Sequence, residues 1–216
     1  DLSNTKSNEL KWVLSSIINY INKKQSFSGG GGGMPGVHYI ASMYQEKNVF
    51  KTVERKLKNL AKVTKTYKSS RLGIVSTNPA QNVKIDSDSI DYIFIDPPFG
   101  ANIMYSEASF LWEASLQVFT NSDKEAIQNR TQNKDLNEYN RLMSDSFNEC
   151  YRILKPGKWM TVEFSNTGAD IWNGIQHGIQ HAGFIIANVA ALDKKQGGFK
   201  GVTTPTAVQQ DLVISC

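Results

Sequence analysis

The stretch Ile90-Asp91-Tyr92-Ile93-Phe94-Ile95-Asp96-Pro97-Pro98-Phe99 decides how this chain is read. Its first six residues are mostly β-branched or aromatic, which suits a pleated, buried strand. Pro97 and Pro98 end that strand, because neither offers an N–H to a ladder and both fix φ. The strand leads into a stiff turn that presents a carboxylate, a bare carbonyl and an aromatic face. In open α/β sheets, ligands bind at that end of the strands. At average residue usage a chain of this length holds Asp-Pro-Pro-aromatic by chance roughly a few times per thousand, so the turn is read as functional.

Strands and helices alternate on either side of this stretch. Leu72–Thr77 reads as a strand before it. After it come a helix over Tyr105–Phe119, a polar and mobile loop over 121–136, and a helix from Tyr139 to Leu154 that Lys155-Pro156-Gly157 ends. Trp159–Phe164 reads as a strand. Ile171, Trp172, Ile175 and Ile179 mark a helix closed by Gly183, and Phe184–Leu192 and Val208–Ser215 read as strands. This order predicts an α/β fold with a mostly parallel sheet and helices on both faces.

The first third of the chain is different. Leu10, Val13, Leu14, Ile17, Ile18 and Ile21 give an amphipathic helix over about 8–23. Gly29–Gly33 follows a polar patch rather than a strand, so it reads first as a flexible loop or linker, with a cofactor loop as the second reading. Residues 1–34 are therefore set apart from a domain over 35–216. Val37–Ala41 is short and extended. A helix over 46–66 carries Lys51, Arg55, Lys58, Lys62 and Lys65 down one face. That stripe has two readings, a solvated lysine face or a row of phosphate contacts.

The 216 residues, 40% of them hydrophobic, are enough for one domain with a full core. A net charge of +4 permits an anionic partner without requiring one. Cys150 and Cys216 have no metal-ligand spacing, and Cys150 falls on an apolar helix face as an inert thiol. His38, His177 and His181 have no Cys, Asp or Glu that completes a set, so no metal is expected. With no bilayer-spanning run and no signal peptide, the expectation is a soluble cytoplasmic protein. The chain opens without methionine and closes just after a strand-like run, so both ends read as cut.

A carboxylate, a free carbonyl and an aromatic face can together hold a planar heterocycle that carries an exocyclic amine. Phe99 would stack on the ring, while Asp96 and the Pro97 carbonyl accept the two amine hydrogens. This draws the nitrogen towards tetrahedral geometry and frees its lone pair to attack an electrophilic methyl. Positioning and electrostatics supply most of the acceleration. A base inside a duplex must be flipped out first.

Asp96-Pro97-Pro98-Phe99 after an apolar strand resembles motif IV of the amino-group methyltransferases that act on DNA bases. The run continues through Gly100-Ala101-Asn102-Ile103-Met104-Tyr105-Ser106-Glu107 to Phe110-Leu111-Trp112-Glu113, and there it looks like a bacterial group of predicted adenine-specific DNA methylases. Tyr151–Gly157, Leu192–Gln196 with Phe199-Lys200-Gly201, Val37–Ile40 and Glu46–Phe50 resemble further segments of that group, so the likeness runs from about residue 35 onward.

The resemblance implies a Rossmann-like, S-adenosylmethionine-dependent methyltransferase sheet, incomplete here in its first strands, and methylation of DNA, first at N6 of adenine. It implies catalytic roles for Asp96, Pro97, Pro98 and Phe99. Asn78, Asp96 and Phe99 would hold the cofactor, and Asn102, Tyr105, Lys195, Phe199 and Lys200 the substrate. Glu107 and Glu113 are either walls of a target pocket or ordinary helix side chains. The family's strand–Gly-x-Gly cofactor turn is missing, so an upstream segment or a partner chain is expected to supply it. Other readings are N4 of cytosine, N2 of guanine in transfer RNA, and a nucleic-acid-binding module that lacks the cofactor.

Overall fold

The computed structural model describes residues 2–23, 40, 42–66, 73–165, 168–193 and 210–216. Its elements run α1 (Leu2–Ile17), α2 (Val49–Thr66), β1 (Ile90–Ile95), α3 (Tyr105–Leu116), α4 (Leu136–Ile153), β2 (Leu154–Phe164), α5 (Ala169–His181), β3 (Asn188–Asp193) and β4 (Gln210–Ser215). They form two compact units, Asp1–Ser76 with Tyr105–Asn121 and Thr77–Met104 with Ser122–Cys216. Gly29–Gly33, Val37–Tyr39 and the boundary expected at residue 34 lie outside the described residues.

The first unit is helical. Val13 and Ile17 on α1 and Ile18 just after it are buried, and Thr52 is buried on α2. Trp112 on α3 donates its indole N–H to the Ser15 carbonyl at 3.0 Å, which meets the need of a half-buried indole for a partner. The first helix starts earlier than its apolar periodicity suggests and stops at Ile17. Asn48 opens α2, its side chain accepting from the Lys51 N–H at 3.0 Å.

The second unit holds the sheet, in the order β1-β2-β4-β3. Strands β1 and β2 are parallel, joined by the α4 crossover that parallel pairs require. Strand β4 runs antiparallel to both β2 and β3. Strands β1, β2 and β3 therefore all run in one direction and β4 alone runs against them, so among the described residues the sheet is mostly parallel in strand direction, as expected, although only one of its three pairings is a parallel one. The chain doubles back after β3, and β4 inserts beside β2. The result is an α/β arrangement built on a four-stranded sheet.

One face of the sheet meets the helices. Ile93, Met160, Val162, Phe164 and Ile214 pack with Tyr139, Leu142, Met143 and Phe147 of α4 and with Ile171, Ile175 and Ile179 of α5. The other face shows Tyr92, Phe94 and Trp159, each more than half exposed. Asp135 caps α4, accepting from the Glu138 N–H at 2.9 Å. Gly183, at φ +105, ends the turn after α5, and a Cβ there would stand 2.9 Å from the Tyr151 ring.

Two strand boundaries move. Strand β2 begins at Leu154 rather than Trp159, because Ile90 pairs with Leu154 while Tyr92 pairs with Trp159. Residues 155–158 bulge out between those pairs, with Gly157 at φ +72. Strand β3 begins at Asn188, four residues beyond Phe184, because Phe184 is buried in the core instead of the ladder. Residues 73–77 form no strand: Ile74 and Val75 are 94% and 98% exposed, and nothing pairs with them among the described residues.

Candidate functional site

Strand β1 delivers its C-terminal end directly into the Asp96-Pro97-Pro98-Phe99 turn. Asp96 is exposed, Pro97 is buried, Pro98 and Phe99 are half-buried, and Gly100 is buried at φ +71. That backbone shape is one that glycine adopts without cost.

The turn is held from behind. The Tyr139 hydroxyl, fully buried on the first turn of α4, donates to the Pro98 carbonyl at 2.7 Å. The Gln128 N–H donates to the Gly100 carbonyl at 3.2 Å. The Phe99 ring meets Phe164 edge to face at 5.3 Å, and Phe164 meets Trp172 at 5.7 Å. A chain of rings thus ties the turn to the end of β2 and to α5. These contacts leave the Asp96 carboxylate at the surface of a braced loop.

The segment 121–136, expected to be polar and mobile, is pinned in place. Ala126, Ile127 and Lys134 are buried. Lys134 donates its ammonium to the carbonyls of Ser122 and Glu125, the latter at 2.7 Å. Asn129 and Lys134 exchange backbone hydrogen bonds at 2.9 Å in both directions, and the Asn129 side chain accepts from Thr131 and Gln132. Asn129 also donates to the Met104 sulfur at 3.2 Å. A single buried cation gathering carbonyls explains why so polar a sequence holds a defined shape.

The approach to β1 is fixed by Arg152. Its guanidinium bonds both Glu149 carboxylate oxygens at 2.8 Å, and also the carbonyls of Ile85 at 2.8 Å and Val83 at 3.3 Å. The Val83 N–H donates to Glu149 at 2.8 Å. Hydrogen bonds from Arg152, with a lesser one from Val83, hold the Glu149 carboxyl below its usual range.

Asn78 is exposed in irregular chain and Asn102 is exposed on the bend after the turn. Tyr105 opens α3 and belongs to the other unit. Lys195, Phe199 and Lys200 lie outside the described residues, as does His38. Glu113 accepts from Ser109 at 2.6 Å and from the Thr120 N–H and hydroxyl, which fastens the chain after α3. The Ser109 bond first, then Thr120, holds its carboxyl below the usual range. Burial pushes the thiols of Cys150 and Cys216 up to about 11, which keeps them protonated and unreactive. Among the described residues no three His, Cys, Asp or Glu side chains converge on a possible metal position, and no helix is long and apolar enough to cross a membrane.

A cavity of about 460 Å³ opens at the opposite end of β2, among Tyr151, Lys158, Trp159, Phe184 and Cys216. It does not reach Asp96. Tyr139, Gln128 and Phe164, which brace the turn, were not anticipated. A tyrosine among the core positions of an apolar helix face was the available signal, since a buried phenol needs an acceptor.

No curated protein matches the chain. Among solved structures, it is similar to a protein from Thermus thermophilus assigned as a DNA modification methylase. In the selenomethionine form the identity is 15%, over 61% of this chain and 46% of that one, with a TM-score of 0.34. In a second structure of that protein it is 14%, over 64% and 50%, at 0.36. The form complexed with S-adenosyl-L-methionine gives 14%, over 63% and 52%, at 0.37. The chain spans about half the length of these structures. Residues 90–213, more than half of the 216, match the sequence pattern of the DNA methylases of the N6/N4 type. The match takes in β1, the Asp96–Phe99 turn, its Tyr139 brace and the strands beyond, and the chain belongs to that DNA methylase family.

Proposed function

We propose that the intact protein carrying these residues transfers a methyl group from S-adenosylmethionine to the exocyclic amine of a DNA base, first N6 of adenine. The observation that carries this reading is an exposed carboxylate at the C-terminal end of a parallel strand, on a turn braced by Tyr139. Membership of the DNA methylase family supports both the substrate and the cofactor.

The roles follow from the chemistry of the turn. Asp96 accepts one amine hydrogen and the Pro97 carbonyl accepts the other. The Pro98 carbonyl is taken by Tyr139, so it serves the turn and not the substrate. Phe99, held by Phe164 at one edge, offers its remaining surface to the extruded base. Because the turn is preorganised, little reorganisation remains for the moment of reaction. Asn102 and Tyr105 are assigned to the base, and Lys195, Phe199 and Lys200 to the nucleic acid around it.

S-adenosylmethionine supplies an electrophilic methyl on a sulfonium. An exposed carboxylate beside an aromatic ring fits that cationic end. Asn78 is assigned to the adenosine end, but it stands exposed in irregular chain and does not line the cavity described above. The described residues therefore fit the methyl-bearing end, and the remainder of the cofactor site is assigned to residues outside them.

Mass analysis of nucleosides from DNA treated with the intact protein and methyl-labelled S-adenosylmethionine tests this reading. N6-methyladenine is expected. N4-methylcytosine would move the target while keeping the chemistry, and label confined to guanine of transfer RNA would overturn the DNA reading.

A further inference from the structure

Helix α2 carries Lys51, Arg55, Lys56, Lys58, Lys62 and Lys65 against one acid, Glu54, a net of +5. The whole chain carries +4, so everything outside this helix sums to −1. The positive charge of the protein is thus concentrated in one element rather than spread for solubility.

Within α2 the charge is ordered. Lys51, Arg55, Lys58, Lys62 and Lys65 follow one another at alternating steps of four and three, which puts them on a single face. All five are exposed. Buried Thr52 and half-buried Val53 and Leu60 lie on other faces. Glu54 pairs with Lys58 at 2.7 Å. Neighbouring cations at these spacings repel, so the stripe weakens the isolated helix. Lys65 in the last turn gains from the helix dipole; the others have no such compensation.

Lys51 to Lys65 spans about 21 Å at 1.5 Å per residue. A DNA duplex of that length carries about a dozen phosphates, at roughly one charge per 1.7 Å of axis. A straight row of exposed cations matches such a rod of charge, and it matches no single small anion. We propose that this face of α2 contacts the phosphate backbone of duplex DNA, supplying affinity without reading sequence. The proposal rests on the DNA reading above and adds where the backbone is gripped.

The test compares the intact protein with Arg55→Ala/Lys62→Ala, binding a labelled duplex of scrambled sequence between about 50 and 200 mM salt. Alanine is the best helix former, so the variant keeps α2, which circular dichroism checks. The slope of log affinity against log salt should shrink by about 1.8 for two lost phosphate contacts. Lys11→Ala/Lys84→Ala removes the same net charge elsewhere and should leave the slope unchanged. An unaltered slope in the first variant would overturn the stripe while leaving the DNA reading standing. No duplex binding by the wild-type protein would overturn both. Binding to anionic phosphatidylserine vesicles, lost in the α2 variant, with duplex binding unaffected, would reassign the helix to a membrane surface.

Discussion

The phenol of Tyr139, fully buried, donates a 2.7 Å hydrogen bond to the Pro98 carbonyl, joining the first turn of α4 to the turn that follows β1. A Pro-Pro turn has few donors of its own, so its shape depends on what its carbonyls find. Tyr139 takes one carbonyl and Gln128 takes that of Gly100. The side of the turn that carries Asp96 is left at the surface.

Tyr139→Phe keeps the ring and removes this bond. The Pro98 carbonyl is then left without its partner, which should cost about 1–2 kcal/mol, read as a lower urea midpoint. Methyl transfer by the intact protein should slow by up to about a hundredfold, at a temperature where the variant is fully folded, because a misplaced turn misplaces the amine. Cofactor affinity should hold. Lost stability with an unchanged rate would make Tyr139 a packing residue only.

Arg152 and Glu149 give a pH signature. The Glu149 carboxyl is held below its usual range by Arg152 and Val83. A lowered carboxyl contributes stability that is fully present above its unfolded value, about 4.3, and lost as pH falls through the folded value. Glu149→Gln should therefore lower the urea midpoint at neutral pH, and the gap to wild type should close as the solution is acidified below about 4.3. A gap that is constant with pH would remove the charge from the account.

Local chemistry made much of this architecture legible. Strand β1 is where its β-branched and aromatic run puts it, and the prolines end it where their missing N–H groups require. Helices α4 and α5 follow their apolar spacing, with Asp135 and Gly183 near their ends. What depends on distant partners was not legible. The antiparallel placement of β4 is set by the pairing of Leu212 and Ile214 with Phe164 and Val162. Leu154 joins a ladder past a Pro-Gly bulge because Ile90 lies beside it. The loop around Lys134 is polar in sequence and ordered in space because a buried ammonium finds two carbonyls. At the candidate site the turn itself stood out, whereas its brace did not, since Tyr139 reads as one more core position on α4.

The central claim is that the exposed Asp96 carboxylate grips the target amine. Asp96→Ala in the intact protein tests it most directly, by comparing the transfer of labelled methyl to DNA with the binding of S-adenosylmethionine by calorimetry. Removing one preorganised electrostatic partner should lower the transfer rate by roughly a hundredfold to a thousandfold, while cofactor binding, most of whose site is assigned to other residues, weakens far less. Transfer at the wild-type rate would contradict the account.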